Sequence, residues 1–334
     1  MTNKLFPSRY PSTRLRRLRQ ADWTRTLAAE TSLSAADLVW SLIIHDGSEP
    51  RVPVESMPGV FRLNVEEAAK AAVKAEQLGI PAIAIFPNIS PDKKDAEGSE
   101  CLNADGLVPN AIRAMKSAAP NVGIICDVAL DPYTSHGHDG LIDEAGYVLN
   151  DETIDVLVRQ ALVQARAGAD IVAPSDMMDG RVGAIRNALE AEGFTQTLIL
   201  SYAAKYASAF YGPYRDAIGS AVALKGDKRT YQQDPINSDE AIREVALDLA
   251  EGADMVMVKP GLPYLDIVRR VSETFGVPTL AFQVSGEYAQ IMAAAQNGWI
   301  DRERVMIEAL QCFKRAGASG IITYYADEAA ELMR

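Results

Sequence analysis

Five times along this chain, a glycine ends a helix-like segment and a short, continuously apolar run follows it. These units occupy residues 78–86, 167–175, 251–259, 275–284 and 316–325. Glycine at a helix C-cap followed by a wholly apolar strand is typical of a βα unit whose parallel sheet is buried on both faces. Three further apolar runs, near 38–44, 122–130 and 197–204, bring the number of predicted strands to eight.

The segments between these runs have helical periodicity. One of them carries a single apolar stripe made of Ile154, Leu157, Val158, Ala161, Leu162 and Ala165. Such a stripe covers one face of a sheet. Eight units of this kind predict an α/β fold, a (β/α)8 TIM barrel. A doubly wound open sheet is the alternative, and it is disfavoured because no Gly-x-Gly-x-x-Gly turn follows the first strand.

The chain has 334 residues, 48% of them apolar, which is enough for one large core. We therefore predict a barrel domain over 36–334, preceded by an extended N-terminal arm over 1–35. The net charge of −12 argues against nonspecific binding of nucleic acid. The arm has no core of its own, so we expect it to pack against another copy of the chain. It contains six arginines: Arg9, Arg14, Arg16, Arg17, Arg19 and Arg25.

The sequence also predicts a location. No apolar run approaches the roughly 18 residues needed to span a bilayer, and the first residues lack the apolar segment of a signal peptide. We therefore expect a cytoplasmic protein without a membrane partner. The three cysteines, Cys101, Cys126 and Cys312, are too few and too scattered for a disulfide framework or a thiolate zinc site.

Two lysines stand at the ends of predicted strands, Lys205 after Leu-Ile-Leu-Ser-Tyr-Ala-Ala and Lys259 after Asp-Met-Val-Met-Val. Burying an ammonium is costly, and a second cation nearby lowers its pKa further, which frees an amine that can attack a ketone. Both lysines are therefore candidate Schiff-base formers, and the pair suggests two carbonyl substrates. The alternative is that each is an ordinary strand-end lysine whose ammonium group reaches water.

Polar residues follow other predicted strands. The loop after the third strand holds Asp127, Asp131 and Asp139 with two histidines, a set suited to binding a cation, handling protons or capping turns. For Asp139, which precedes Gly140, turn formation is the favoured interpretation. After the fourth strand, Ser175 faces the strand-end site, and Asp179 is a candidate N-cap.

Four further residues are candidate partners for carboxylate groups. Arg215 and Lys228 lie in the segment after Lys205, whereas Ser285 follows the seventh strand and Tyr324 lies in the eighth. Their side chains can donate hydrogen bonds to a carboxylate. They form two separate sets, one for each of two acidic substrates.

Several long motifs occur in order: Ser-His-Gly-His-x-Gly, Ser-Asp-Met-Met-Asp-Gly-Arg-Val, Ser-Tyr-Ala-Ala-Lys-Tyr, Phe-Tyr-Gly-Pro-Tyr-Arg-Asp-Ala, Met-Val-Met-Val-Lys-Pro-Gly and Gln-Val-Ser-Gly-Glu-Tyr. With them, the chain closely resembles the delta-aminolevulinic acid dehydratases, also called porphobilinogen synthases. The resemblance runs from the basic arm to the last strand. It implies the condensation of two 5-aminolevulinate molecules to porphobilinogen, with loss of two waters. It also suggests a homo-octamer built from arm-exchanging dimers.

The resemblance implies a role for each lysine. Lys259 would form the Schiff base with the substrate that supplies the propionate side of the product, and Lys205 with the one that supplies the acetate side. Ser285 and Tyr324 would hold the first carboxylate, and Asp127 would orient the first amino group and help to move protons.

By the same resemblance, Ser175 would share the binding of that amino group. Arg215 and Lys228 would lie on a mobile lid and hold the second carboxylate, assisted by Gln232. Each substrate thus has its own amine and its own carboxylate partners.

The sequence departs from part of the family at the metal site. Zinc-dependent members carry three cysteines where this chain has Ala129, Asp131 and Asp139. We therefore expect no catalytic zinc, and either a hard cation on the two aspartates or no metal there. Glu244 matches the glutamate that holds a regulatory magnesium in many relatives, so magnesium is the expected cofactor. A solvated helix carboxylate is the alternative for Glu244.

Two other functions are compatible with a barrel of this kind. A Schiff-base aldolase would need one essential lysine and usually a phosphate-binding turn after strands seven and eight, where residues 284–287 offer little positive charge. A catalytically silent barrel, kept for assembly or ligand binding, is disfavoured by the intact set of Lys205, Lys259, Arg215 and Lys228.

Overall fold

The computed structural model describes residues 9–219, 224 and 226–334. The chain divides into two compact units, Met1–Ser32 and Leu33–Arg334, near the boundary predicted at residue 35. In the first unit, a 3-10 helix spans Leu15–Arg19 and helix α1 spans Asp22–Leu27. Its described large apolar side chains, among them Trp23, are exposed to solvent. That the first unit makes subunit contacts stays a prediction. Residues 1–8 of this unit lie outside the described residues.

The second unit contains ten described strands in one sheet. They are β1 Leu38–His45, β2 Arg51–Pro53, β3 Phe61–Leu63, β4 Ala82–Asn88, β5 Gly123–Val128, β6 Ile171–Pro174, β7 Leu198–Lys205, β8 Met255–Lys259, β9 Thr279–Phe282 and β10 Gly320–Thr323. Every pairing in this sheet is parallel except the antiparallel one between β2 and β3. Their residues are mostly buried, as expected for strands covered on both faces.

Helices follow the strands and cover the outside of the sheet. They are α2 Val65–Leu78, α3 Leu107–Ala118, α4 Asn150–Ala167, α5 Arg181–Ala191, α6 Gly212–Ala217, α7 Asp239–Ala250, α8 Leu265–Phe275, α9 Ser285–Gln296, α10 Arg302–Ala316 and α11 Ala326–Leu332. None of the helices in the described ranges is long and apolar enough to cross a bilayer.

The sheet closes on itself. β10 pairs with β1, with Leu38 opposite Ile321 and Trp40 opposite Thr323. The eight strands β1 and β4 to β10 therefore form a closed barrel, which confirms the predicted (β/α)8 architecture and excludes the open sheet. The antiparallel β2–β3 hairpin beside β1 is an addition that the apolar pattern does not predict, because its strands are short and largely exposed.

At most of the predicted positions, the glycine is the C-cap of the helix, as the sequence pattern predicts. Gly168 and Gly317 are C-caps with φ of 101° and 105°, a left-handed conformation that glycine adopts without a Cβ clash. At α7 the C-cap is Glu251, and Gly252 follows it. The N-cap predicted at Asp179 is wrong, because the helix begins one residue later, after Gly180, which has a φ of 83°.

Closure brings the carboxyl ends of the parallel strands to one mouth of the barrel. Asp127 lies near the end of β5, Lys205 ends β7 and Lys259 ends β8. Ser175 directly follows β6, and Ser285 begins α9 just after β9. In barrels of this class, this end of the strands carries the active site.

Candidate active site

Lys205 and Lys259 are direct neighbours at this mouth. Their Cα atoms are partners in the parallel pairing of β7 with β8, so both side chains leave the sheet at the same level. Each lysine is only 5% exposed. The alternative in which both ammonium groups reach bulk water is therefore excluded, and the site contains two desolvated amines side by side.

The amine of Lys259 lies in a cage of aromatic rings. Its Nζ is 4.8 Å from the ring centre of Phe282 and 5.1 Å from those of Tyr202 and Tyr214. Tyr211 and Phe86 complete the cage at 5.5 and 5.9 Å. The ring faces attract a cation weakly, but they give it no counter-charge.

Burial, with a smaller contribution from the nearby charge of Lys205, lowers the pKa of Lys259 to about 7. The carboxylates of Asp127, Asp131 and Asp139 act in the opposite direction but do not outweigh these two causes. An amine with a pKa near 7 is largely unprotonated at neutral pH, which is the form that attacks a carbonyl carbon.

The environment of Lys205 differs from that of Lys259. Its Nζ donates to Asp139 Oδ1 at 3.2 Å and to the backbone carbonyl of Ser175. Two adjacent lysines are thus placed in opposite environments, one aromatic and one ionic.

Asp139 is the centre of this ionic environment, and it is 1% exposed. Its Oδ2 accepts from Lys228 Nζ at 2.8 Å and from the Tyr231 hydroxyl at 2.8 Å. Burial works to raise the pKa of Asp139, but Lys205 and Lys228 outweigh it and hold the pKa well below its usual value. The interpretation of Asp139 as a turn residue is therefore wrong, because its carboxylate bridges two lysines.

The second carboxylate of this group belongs to Asp131. It lies 3.2 Å from Lys228 Nζ, so Lys228 contacts both aspartates. Burial lowers the pKa of Lys228, but Asp131 and Asp139 more than compensate and raise it. Lys228 is therefore held as a cation, and it shares the carboxylate of Asp139 with Lys205.

The pKa of Asp127 is shifted in the opposite direction to that of Asp139. Burial, helped by nearby Asp131 and opposed by the charges of Lys259 and Lys205, raises the pKa of Asp127 to about 6. A carboxyl group with a pKa close to neutral can both accept and release a proton. Its position beside both amines suits it to proton transfer during imine chemistry.

One cavity joins most of the predicted site residues. Its volume is about 20 Å3, and it is lined by Asp127, Asp131, Ser175, Lys205, Tyr211, Tyr214, Arg215, Lys228, Gln232 and Lys259. Such a volume holds about one water molecule. Substrate entry therefore requires movement of side chains from the segment after β7. Residues 220–223 and 225, within the lid implied by the resemblance, lie outside the described residues.

Two predicted residues, Ser285 and Tyr324, do not line this cavity. The Ser285 hydroxyl accepts a hydrogen bond of 2.9 Å from the backbone N–H of Tyr214, at the start of α6. Tyr324 is buried with its ring 6.0 Å from that of Phe282, and it lines a separate cavity with Ser41. Their roles in binding a carboxylate stay predictions.

The donors at the predicted metal positions do not fit zinc. Asp131 and Asp139 supply carboxylate oxygens, and both are already paired with lysines. The nearby Cys126 is fully buried, and burial raises the pKa of its thiol well above the usual value. Three thiolates, which would bind zinc tightly, are not available at this position.

Glu244 lies far along the chain from these residues, on α7. It lines a polar cavity of about 360 Å3 together with Asp179, Glu240 and Asn150. Burial raises the pKa of its carboxyl group, whereas Arg181 lowers it. A cavity of this size has room for a magnesium ion that keeps most of its waters, so the residues fit the predicted cofactor.

The sequence pattern missed two aromatic contributions. Tyr231 donates to Asp139 and lies 3.2 Å from His138 Nδ1. Tyr211 and Tyr214 form part of the cage around Lys259. The aromatic residues after Lys205 are evident in the sequence. No spacing rule, however, indicates that the rings of Tyr211 and Tyr214 pack around Lys259 at the end of β8.

The fold and the site together define a (β/α)8 barrel with two neighbouring, buried lysine amines at its mouth. The family model "Delta-aminolevulinic acid dehydratase" matches residues 12–332. A delta-aminolevulinic acid dehydratase of Bradyrhizobium diazoefficiens is 60% identical over 96% of this chain and 91% of its own length. The chain belongs to the delta-aminolevulinic acid dehydratase family.

Two further comparisons agree. The delta-aminolevulinic acid dehydratase of Rhodobacter capsulatus is 55% identical over 97% of each chain. The crystal structure of the porphobilinogen synthase of Toxoplasma gondii ME49, in complex with the reaction product porphobilinogen, has a TM-score of 0.94 and 49% identity. It covers 98% of this chain and 92% of its own.

Proposed function

We propose that this protein is a porphobilinogen synthase that condenses two 5-aminolevulinate molecules to porphobilinogen with loss of two waters. The observation that carries the proposal is the pairing of Lys205 with Lys259 at one level of the barrel mouth. Each lysine provides an amine for one ketone. Family membership and the product complex of the Toxoplasma gondii relative support the same reaction.

Lys259 forms the first Schiff base. Its pKa of about 7 leaves a neutral amine, which attacks the ketone carbon of the substrate. The resulting carbinolamine loses water to give an iminium ion, and the adjacent C–H bonds become acidic. Asp127, with a pKa of about 6, accepts a proton from the carbon adjacent to the iminium carbon, and the C–H electron pair forms the C=C bond of an enamine nucleophile.

Lys205 forms the second Schiff base after its ion pair opens. In the resting site, Asp139 and the Ser175 carbonyl hold its ammonium group. Transfer of the Lys205 proton to a carboxylate frees the amine for the second ketone. The side chains that close the cavity, Lys228 and Arg215 among them, exclude water while the two bound substrates react.

The remaining residues bind the two ends of each substrate. Arg215, Lys228 and Gln232 hold the carboxylate of the second substrate, which requires Lys228 to leave Asp131 and Asp139. Ser285 and Tyr324 hold the carboxylate of the first substrate. Asp127 and Ser175, which line the same cavity, orient its amino group.

Magnesium is the proposed regulatory cofactor, bound through Glu244 and its own waters. When bound, it supplies charge that stabilises the assembly or the closed segment after β7, outside the reaction itself. The proposed assembly is a homo-octamer of arm-exchanging dimers, supported by the exposed apolar side chains of the first unit. A cytoplasmic location also stays a prediction.

The direct test is incubation of the purified protein with 5-aminolevulinate, followed by a colour assay for the pyrrole product. We expect pyrrole formation that depends on both lysines, so that Lys205→Met and Lys259→Met each lose most turnover. A Schiff-base aldolase would form no pyrrole and would need one lysine. A silent barrel would give neither pyrrole nor imine.

A further inference from the structure

Glu287 is a buried carboxylate in the first turn of α9, and it is 2% exposed. Within the described ranges it makes no ion pair, and its partners are three backbone N–H groups. Oε2 accepts from Val284 at 2.8 Å and from Gly261 at 3.2 Å, whereas Oε1 accepts from Leu262 at 2.7 Å. Burying a carboxylate without a cation is costly, so this arrangement needs an explanation.

Helix capping explains one of these bonds. A glutamate at the third helical position commonly accepts from the N-cap N–H, as Glu287 does from Val284. The bonds from Gly261 and Leu262 are different, because these residues belong to the turn after β8. A capping glutamate that faced solvent would serve α9 equally well. The two additional bonds therefore point to a role between the two turns.

The two turns carry the two ends of one proposed binding site. Gly261 and Leu262 lie two and three residues after Lys259. Val284 directly precedes Ser285. The Glu287 carboxylate therefore connects the backbone that bears the amine to the backbone that bears the hydroxyl. Its bonds from Gly261 and Leu262 tie the turn after β8 to the start of α9, and its bond from Val284 fixes the carboxylate within that start.

The surrounding packing leaves these turns little freedom. A Cβ atom at Gly261 would lie 2.3 Å from the ring of Phe313, and one at Gly286 would lie 2.4 Å from the carbonyl oxygen of Phe210. Neither turn can shift towards its neighbours without a clash. Within this close packing, Glu287 adds two hydrogen bonds that join the turn after β8 to the start of α9.

We propose that Glu287 is a positioning residue that sets the distance between the Lys259 amine and the Ser285 hydroxyl. This inference rests on the proposed roles of Lys259 and Ser285. In a keto acid, the ketone carbon and the carboxylate are separated by a fixed number of methylene groups. A fixed distance between amine and hydroxyl therefore selects the keto acid by its chain length.

The test uses Glu287→Gln, which keeps the shape but replaces one acceptor oxygen by an amide N–H2 that faces backbone donors. Misplacing a reacting group by about 1 Å costs up to roughly 100-fold, so we expect kcat/KM for pyrrole formation to fall about 10- to 100-fold, with a raised KM. The matched control is Glu67→Gln, which removes another buried carboxylate, one paired with Arg51 and Lys70. It should keep the wild-type KM.

A second readout measures the selection itself. Borohydride trapping on Lys259 is compared for 4-oxopentanoate, which has the spacing of the substrate, and 5-oxohexanoate, which is one methylene longer. One methylene is worth about 10- to 200-fold in a fitted site, so we expect the wild type to prefer 4-oxopentanoate by about tenfold. Glu287→Gln should trap the two acids nearly equally, whereas a merely structural glutamate would leave the preference intact.

Glu287→Asp separates distance from charge, because it keeps the carboxylate but is too short to reach both turns. Like Glu287→Gln, it should lose the preference for 4-oxopentanoate over 5-oxohexanoate. Circular dichroism measures the folded fraction of each variant, and trapping rates are compared at equal amounts of folded protein. The proposal would be overturned if either variant, when folded, kept the wild-type preference for 4-oxopentanoate. It would also be overturned if both variants were recovered only as unfolded protein. Pyrrole formation by the wild type tests the proposed function separately.

Discussion

Lys205 and Lys259 are Cα partners on adjacent strands, yet only Lys205 makes an ion pair within the described part of the chain. The two amines therefore have different surroundings, although they share a location and a degree of burial. Asp139 accepts a hydrogen bond from Lys205 Nζ, whereas the aromatic cage leaves Lys259 without a counter-charge. From this difference we expect Lys259 to react first.

The rate of imine formation at Lys259 should rise with pH. The nucleophile is the neutral amine, and the pKa of Lys259 is lowered to about 7, so the reactive fraction increases from acidic pH through 7 and then levels off. The measurement is the initial rate of borohydride trapping of 5-aminolevulinate on Lys259 at a series of pH values. A midpoint near the ordinary lysine pKa of about 10.4 would contradict this expectation.

Lys205→Met should move that midpoint to higher pH. Burial is the main cause of the lowered pKa of Lys259, and the charge of Lys205 is the second. Removing this charge takes away a repulsion that disfavours the protonated form. The same trapping series measures the shift, with Lys314→Met, a change at an ion pair with Asp37, as the control. An unchanged or lowered midpoint would show that the two amines do not interact.

Lys259→Met should abolish turnover and stabilise the fold. The unfolded lysine keeps its proton up to a pH of about 10.4, whereas the folded one loses it near 7, so the folded state binds fewer protons between these values. Stability therefore rises with pH across that window and is lowest below it. At pH 7, methionine should raise the free energy of unfolding by about 1 to 4 kcal/mol. Denaturant unfolding checks this, and a less stable variant would be the contrary result.

Removing residues 1–32 should leave a folded barrel but a smaller assembly. The described large apolar side chains of this unit, such as Trp23 and Leu27, are 68% and 80% exposed, so they gain burial only against a partner. Light scattering gives the mass of the truncated and full-length proteins at equal concentration. An unchanged mass would show that the first unit does not hold the assembly together.

Activity should survive zinc chelation and respond to magnesium through Glu244. The carboxylates of Asp131 and Asp139 are hard ligands already paired with lysines, whereas Glu244 lines a polar cavity that accommodates a hydrated ion. Glu244→Ala should abolish magnesium stimulation and leave a basal rate. Glu303→Ala, on α10, is the matched control. Activity that is lost on zinc removal and restored by zinc but not by magnesium would refute this expectation.

Much of the fold could be predicted from the sequence because its signals are local. A glycine C-cap and a buried strand each occupy a few consecutive residues, so the eight barrel strands were predicted at their observed places. The β2–β3 hairpin was missed because two strands of three residues each, only one of which is buried, leave no apolar pattern. The N-cap at Asp179 was wrong because Gly180, in a left-handed conformation, precedes the helix instead.

The site was less accessible to sequence reasoning. The two lysines were predicted because a lysine at the end of an apolar strand is conspicuous. The bridge from Asp139 to Lys205 and Lys228 joins residues 66 and 89 positions apart, and no periodicity indicates such a contact. The bonds that Glu287 accepts from Gly261 and Leu262 likewise depend on β8 and β9 lying side by side.

The most direct test of the account is to map where 5-aminolevulinate becomes attached. Borohydride is added during turnover, and the modified lysines are located by mass spectrometry of peptides. We predict substrate on Lys259 in the wild type, a smaller amount on Lys205, and none on any lysine of the double variant Lys205→Met, Lys259→Met. Substrate trapped on another lysine of that double variant would contradict the assignment of the two amines as the reacting groups.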